Sequence, residues 1–158
     1  MKQMMFAPAA ALLLLAACAT TPAPKTIAQM AAATPELSTL TRLLGEAELT
    51  ETLQGAGPYT VFAPSDAAFK AVPAATMEAL TKDKARLKAV LSYHVVPGAL
   101  ASADVKNGPL KTVQGASVML YKSGSFLTVE EALVTTADVR ASNGVIQVVD
   151  KVLIPPAR

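Results

Sequence analysis

Two residue types occur once each in this 158-residue chain and limit the chemistry it can do: Cys18 and His94. His94 is the single imidazole available for acid–base work. Catalysis would need a nucleophile and an orienting acid beside it. Ser65 and Asp66 supply those residue types. The run Ala63-Pro64-Ser65-Asp66-Ala67, however, lacks the glycines of a nucleophile elbow. Ser65 reads more simply as a helix cap, and no catalytic residue is expected. One His and one Cys cannot build a zinc site. Glu130-Glu131 and Asp104 are the remaining candidates, for a weak surface Ca²⁺, but no EF-hand pattern surrounds them. No glycine-rich phosphate loop is present. Neither a metal nor a cofactor is expected.

Cys18 instead marks a processing site. Lys2 gives a positive start, Phe6 to Ala17 form an apolar stretch broken by Pro8, and Leu15-Ala16-Ala17 precede the cysteine. This is a secretory signal over residues 1–17 with a small-residue cleavage site, too short for a membrane-spanning helix. It resembles a bacterial lipoprotein signal. That resemblance implies a diacylglycerol on the Cys18 thiol, cleavage before it, and a membrane contact through the N-terminal lipid. Ala19 follows where inner-membrane retention commonly prefers Asp, so the resemblance favours the outer membrane, on its periplasmic face or at the cell surface.

Removing the signal takes Lys2 and lowers the formal charge from +2 to about +1. Lys82, Lys84, Arg86 and Lys88 are interrupted by other residues and read as a solvated helix face, so nucleic acid is not an expected partner. With the one cysteine used by lipid, a disulfide is excluded and the apolar core must carry the fold.

The elements follow from pattern and punctuation. Residues 18–25 are a Pro/Thr-rich tether, expected to be extended and mobile. Thr26 caps a helix over 27–33. Thr34-Pro35-Glu36 starts another, with Leu37, Leu40, Leu43, Leu44 and Ala47 on its inner face. A helical turn over 49–53 ends at Gly55-Ala56-Gly57-Pro58. Tyr59–Ala63 is a buried strand, and Ser65 caps a short helix through Phe69. Pro73 opens a helix. Asp83 begins a further one, with Leu87, Val90, Leu91 and His94 inward, running to the stop at Pro97-Gly98. The remainder reads as strands over 110–113, 117–122, 125–129, 133–141 and 145–153. Ser123-Gly124 and Asn143-Gly144 form the tight turns, the latter of type I′ with positive φ at Gly144. Tyr59, Phe62 and Phe69 are assigned to the core. Helices first and strands later give an α+β domain.

Three segments together resemble the fasciclin (FAS1) domain: Gly57-Pro58-Tyr59-Thr60-Val61-Phe62-Ala63-Pro64-Ser65-Asp66-Ala67-Ala68-Phe69, then Tyr93-His94-Val95-Val96-Pro97-Gly98, then the run from Asn143 to Pro155. The resemblance spans residues 26–155, leaving a tail at 156–158. It implies a wedge-shaped β-sandwich with several helices packed on it. It also implies a non-enzymatic extracellular or surface module, monomeric, that mediates adhesion or binds a protein or matrix component. A periplasmic protein binding a small ligand or polysaccharide is the alternative, and a hydrolase ranks last. Tyr93 and His94 match the region that, in animal members of the family, has been associated with receptor binding. The apolar setting of His94 also admits a structural role, in which the imidazole is pinned to backbone. Two positions depart from the family pattern. Gln147 stands where His is frequent, and Glu130-Glu131 stands where an Asn-Gly turn is frequent, so that connection is expected to be looser or of another turn type.

Overall fold

A computed structural model describes residues 23–156. The chain order is α1 (Ile27–Ala33), a 3₁₀ turn (Pro35–Leu37), α2 (Ser38–Glu46), α3 (Thr50–Gln54), β1 (Tyr59–Pro64), α4 (Asp66–Ala71), α5 (Ala74–Lys82) and α6 (Lys84–Tyr93). Then come β2 (Val95–Pro97), β3 (Gly108–Lys111), β4 (Ser117–Ser123), β5 (Phe126–Val129), β6 (Ala132–Ala141) and β7 (Gly144–Val149). The strands form one sheet in the order β2-β1-β7-β6-β5-β4-β3. Only β1 and β7 pair in parallel. Beyond β3, the Val113 N–H donates to the Val95 carbonyl of β2 at 2.8 Å, drawing the two edges of the sheet together. The result is the α+β sandwich with helices packed on it.

Side-chain alternation along β1 and β7 divides the interior in two. Val61, Ala63, Ile146 and Val148 face the helices and pack with Ile27, Leu40, Leu43, Leu53 and Leu87. Phe62 and Val149 point the other way and pack with Val96, Val118, Leu120, Leu127 and Val129 inside the folded sheet. Both faces of β7 are therefore covered, as its nearly unbroken apolar run requires. Phe62 and Phe69 are buried, and Tyr59 is partly buried against the helical side.

Local chemistry sets the helix starts. The Thr26 hydroxyl and Gln29 amide form a reciprocal capping box on α1. The Ser65 hydroxyl accepts from the Ala68 N–H at 3.3 Å, and Asp83 caps α6 through the N–H groups of Ala85 and Arg86. Thr34 departs from its expected role. Its hydroxyl turns back to the Met30 carbonyl at 2.8 Å, and Pro35–Leu37 forms the 3₁₀ turn. The start of α2 is served from a distance by Asp66, which accepts from the Ser38 hydroxyl at 2.6 Å and the Thr39 N–H at 2.9 Å. These bonds, the Ser38 one foremost, hold the Asp66 carboxyl below its ordinary pKa.

Several expected boundaries move. The Lys25 carbonyl already accepts from the Ser142 N–H at 2.8 Å, so the ordered domain begins inside the expected tether. The helix expected to reach Pro97 ends at Tyr93. Val95 and Val96 pair with Val61 and Thr60, because β-branched residues complete the edge beside β1. The third strand lies two residues early, since Thr112 turns onto Ala116 through both its N–H and its hydroxyl. The last strand stops at Val149, where the Asp150 carboxylate accepts the Leu133 N–H at 2.7 Å.

The Asn143-Gly144 turn differs from expectation, whereas Glu130-Glu131 forms another turn type, as expected. Ala141 pairs with Gly144, so Ser142 and Asn143 occupy the centre of the last turn. Neither has positive φ, which excludes type I′. Gly144 does take the expected positive φ, at +158°, and it is also required sterically: a Cβ there would lie 1.8 Å from the Tyr59 carbonyl oxygen. Glu130-Glu131 makes a tight connection, with Val129 paired to Ala132. Glu130 takes φ +55° and Glu131 does not follow it, the sign pattern of a type II′ turn.

Candidate functional site

The Tyr93-His94 motif lies where α6 runs into β2, and both residues are buried, Tyr93 to 3% and His94 to 1% exposure. The Leu153 N–H donates to His94 Nε2 at 2.9 Å. A backbone N–H can only donate, so Nε2 is the bare nitrogen and Nδ1 carries the proton. Nδ1–H donates in turn to the Val90 carbonyl at 2.8 Å. The imidazole is thus a two-ended connector between α6 and the C-terminal segment, with both nitrogens occupied. Burial opposes a charge on it and pushes its pKa down to about 4, partly offset by the bond to Val90.

Tyr93 reaches into the folded sheet. Its hydroxyl donates toward the Ser117 carbonyl at 3.2 Å and Glu130 Oε1 at 3.4 Å. Burial first, and the Glu130 carboxylate second, raise its pKa. Glu130 Oε1 also accepts the Met119 N–H at 2.8 Å, which stabilises the turn despite its acidic sequence. A cleft of about 460 Å³ opens beside Tyr93, with Glu130, Glu131 and Lys151 on its walls. His94 does not line it.

The residues considered for chemistry are not brought together. Ser65 caps α4 and Asp66 is bonded to α2, while both His94 nitrogens are bonded to backbone. Among the described residues no three His, Cys, Asp or Glu side chains gather to hold a metal, so Asp104 does not join Glu130 and Glu131 in a Ca²⁺ site. Cys18 lies outside the described residues. Gln147 is fully buried on β7. Its Nε2 donates to the Leu100 carbonyl at 3.2 Å and Asp138 Oδ1 at 3.1 Å, and its Oε1 accepts the Asp138 N–H at 3.2 Å. The amide therefore fills a structural position without an imidazole. Asp138 sits in a β6 bulge with φ +58° and also accepts from the Ser102 N–H and hydroxyl. Those Ser102 bonds chiefly lower its pKa.

One important residue was legible in the sequence only as a turn former. Asn143 Oδ1 accepts the Ile27 N–H at 2.9 Å, and Nδ2 donates to the carbonyls of Leu53 and Gly55. Its own carbonyl accepts from the Tyr59 N–H at 3.0 Å. It joins the start of α1, the end of α3 and the start of β1. An Asn before a Gly signals a turn, but nothing local signals partners about ninety and more residues away.

The fold and its motif define a class: a helix-covered β-sandwich module whose signature side chains hold the fold together. The Fasciclin domain profile matches residues 35–155, and the chain belongs to that family. It is similar to Protein sll1483 of Synechocystis sp., with 41% identity over 140 residues, covering 87% of this chain and 78% of that one. It is also similar to Immunogenic protein MPB70 of Mycobacterium bovis, with 40% identity over 136 residues, covering 83% and 69%. Cell surface glycolipoprotein MPB83 of the same species is 37% identical over 137 residues, covering 84% and 61%. Among solved structures, the FAS1 domain pair of the insect cell adhesion molecule Fasciclin I matches the fold with a TM-score of 0.68 at 16% identity. That match covers 83% of this chain and 51% of the insect one.

Proposed function

We propose that this chain is a lipid-anchored, non-enzymatic envelope module that binds a protein or matrix component. One observation carries the reading. The only cysteine ends an apolar leader at Leu15-Ala16-Ala17-Cys18, in a chain 37% identical to a protein named as a cell surface glycolipoprotein. Two or three acyl chains hold a protein firmly at a membrane, whereas one holds it marginally. The internal use of both His94 nitrogens argues against acid–base catalysis by the single histidine.

The hairpin of β4 and β5 supports a macromolecular partner. Tyr121 and Phe126 are 52% and 66% exposed. They lie diagonally on one face, because Tyr121 pairs with Thr128 and Ser123 with Phe126. Exposed aromatic pairs on a rigid hairpin are suited to interface contacts. A photocrosslinker at residue 126, activated in intact cells, should give one discrete adduct that Tyr121→Ser diminishes. A smear that is unchanged by Tyr121→Ser would contradict binding through this face.

A further inference from the structure

The chain holds two asparagines, Asn107 and Asn143, and a glycine follows each. Asparagine is among the thermolabile residues. The main-chain nitrogen of the next residue can attack its side-chain Cγ, and a glycine there, having no Cβ, obstructs the approach least. The fold gives these two identical dipeptides opposite settings.

Asn107 is exposed, just before β3 begins at Gly108. Its Oδ1 accepts the Lys122 N–H at 2.6 Å, which draws electron density from Cγ and favours attack there. That is the one side-chain hydrogen bond of Asn107 among the described residues, so the leaving nitrogen, Nδ2, is unrestrained by protein. Gly108 has φ +140°, and an added Cβ would meet nothing within 4 Å, so the main chain has room to rearrange.

Asn143 is held at both ends of its amide. Oδ1 accepts the Ile27 N–H at 2.9 Å, and Nδ2 donates to the carbonyls of Leu53 and Gly55. Gly144 is paired with Ala141 on one side and Tyr59 on the other. Turning Cγ toward the Gly144 nitrogen would break all three side-chain bonds and free the start of α1.

We infer that Asn107 is a site of spontaneous deamidation in the folded protein, and that the fold withholds Asn143 from the same reaction. At Asn107 the Gly108 nitrogen loses its proton and bonds to Cγ. The Cγ–Nδ2 bond breaks, and Nδ2 leaves as ammonia. Water then opens the cyclic imide at either carbonyl, giving aspartate or isoaspartate. One water is consumed and one ammonia released, with no change of oxidation state. The formal charge falls by one, and the new carboxylate lies against Lys122 of β4, next in sequence to Tyr121. An aspartate keeps an acceptor for the Lys122 N–H, so the fold survives the change. At Asn143 the same conversion would replace the Nδ2 donor with a carboxylate oxygen and set it against two carbonyls.

The test ages the full chain, held in lipid nanodiscs, in mildly alkaline buffer made with heavy-oxygen water, followed by tryptic digestion in ordinary water. Peptides 107–111 and 141–151 report the two sites separately. Peptide 107–111 should gain heavy oxygen in step with an acidic variant on ion exchange, and part of it should be a substrate for an isoaspartyl methyltransferase. Peptide 141–151 should gain label at least about a hundredfold more slowly, because reaction there waits on the opening of three hydrogen bonds. In guanidinium chloride both peptides should convert at similar rates. Asn107→Gln should abolish the acidic variant. The inference is overturned if Asn107 stays intact in the folded chain while converting in guanidinium chloride, if the two sites convert equally fast in the folded chain, or if the gap between them persists in guanidinium chloride.

Discussion

His94 Nε2 accepts the main-chain N–H of Leu153 at 2.9 Å, joining two positions 59 residues apart. Nδ1–H on the far side of the ring donates to Val90. His94→Ala would leave a buried donor and a buried carbonyl unpaired and open a void. It should lower unfolding stability by about 2–4 kcal/mol. Urea melts of wild type and variant check this. Partner binding by the variant should follow its folded fraction. Unaltered stability with lost binding would reassign the imidazole to a contact role.

Burial of the same imidazole sets an acid dependence, against the smaller opposing effect of the Val90 bond. Unfolded His94 takes a proton near its ordinary pKa of 6.5, while the folded ring resists until about pH 4. Between these values the unfolded state holds more protons, so stability falls as pH falls from about 6.5 to about 4. The loss amounts to about 3 kcal/mol and stops below the folded pKa. Asp66 and Asp138 have lowered pKa values. Their contribution is present above about pH 3.8 and is lost as pH drops further. Denaturation midpoints from pH 7.5 to 4.0 should slope downward in wild type and be nearly flat over that window in His94→Gln.

Gly144 admits no side chain. Its added Cβ would meet the Tyr59 carbonyl oxygen at 1.8 Å and Ile27 Cδ1 at 2.8 Å. Gly144→Ala should cost more than about 3 kcal/mol, because the obstruction is backbone of the paired strand. Gly124, in the β4–β5 turn, meets nothing within 4 Å and has φ +60°. Gly124→Ala should cost only about 1 kcal/mol. Similar thermal shifts in the two variants would contradict this steric account.

Asn143→Ala removes the acceptor for Ile27 N–H and the donors to Leu53 and Gly55. A loss of about 2–4 kcal/mol is expected. Hydrogen exchange should quicken first at the Ile27 amide. Uniform acceleration across the domain, with no excess at Ile27, would show that Asn143 acts on global stability alone.

The parts of the fold that local chemistry determines were legible in the sequence. Thr26, Ser65 and Asp83 announce helices because a cap and its N–H partner lie two or three residues apart. The pattern of Tyr59–Ala63 announces a strand because both its faces are buried. The parts that depend on distant partners were not legible. Val95-Val96 follow a helix and become a strand only because β1 lies alongside. Thr34 reads as a cap, yet Asp66, reaching back from a later helix, serves α2. Asn143-Gly144 announces a turn, but its centre falls one residue earlier, and the demand on Gly144 comes from Tyr59. For the motif, a structural His94 follows from its apolar neighbours. Its partner Leu153 does not, since the bend after Val149 depends on Asp150 bonding to Leu133.

The anchored-module account rests most directly on Cys18. The decisive measurement is the mass of the N-terminal tryptic peptide of the protein isolated from its own cell envelope. The account predicts a chain that begins at Cys18, with peptide 18–25 carrying a diacylglycerol and an added N-terminal acyl group, and its loss from membranes in Cys18→Ser. A mature chain with an unmodified Cys18 thiol, or one that retains residues 1–17 in the wild type, would contradict it.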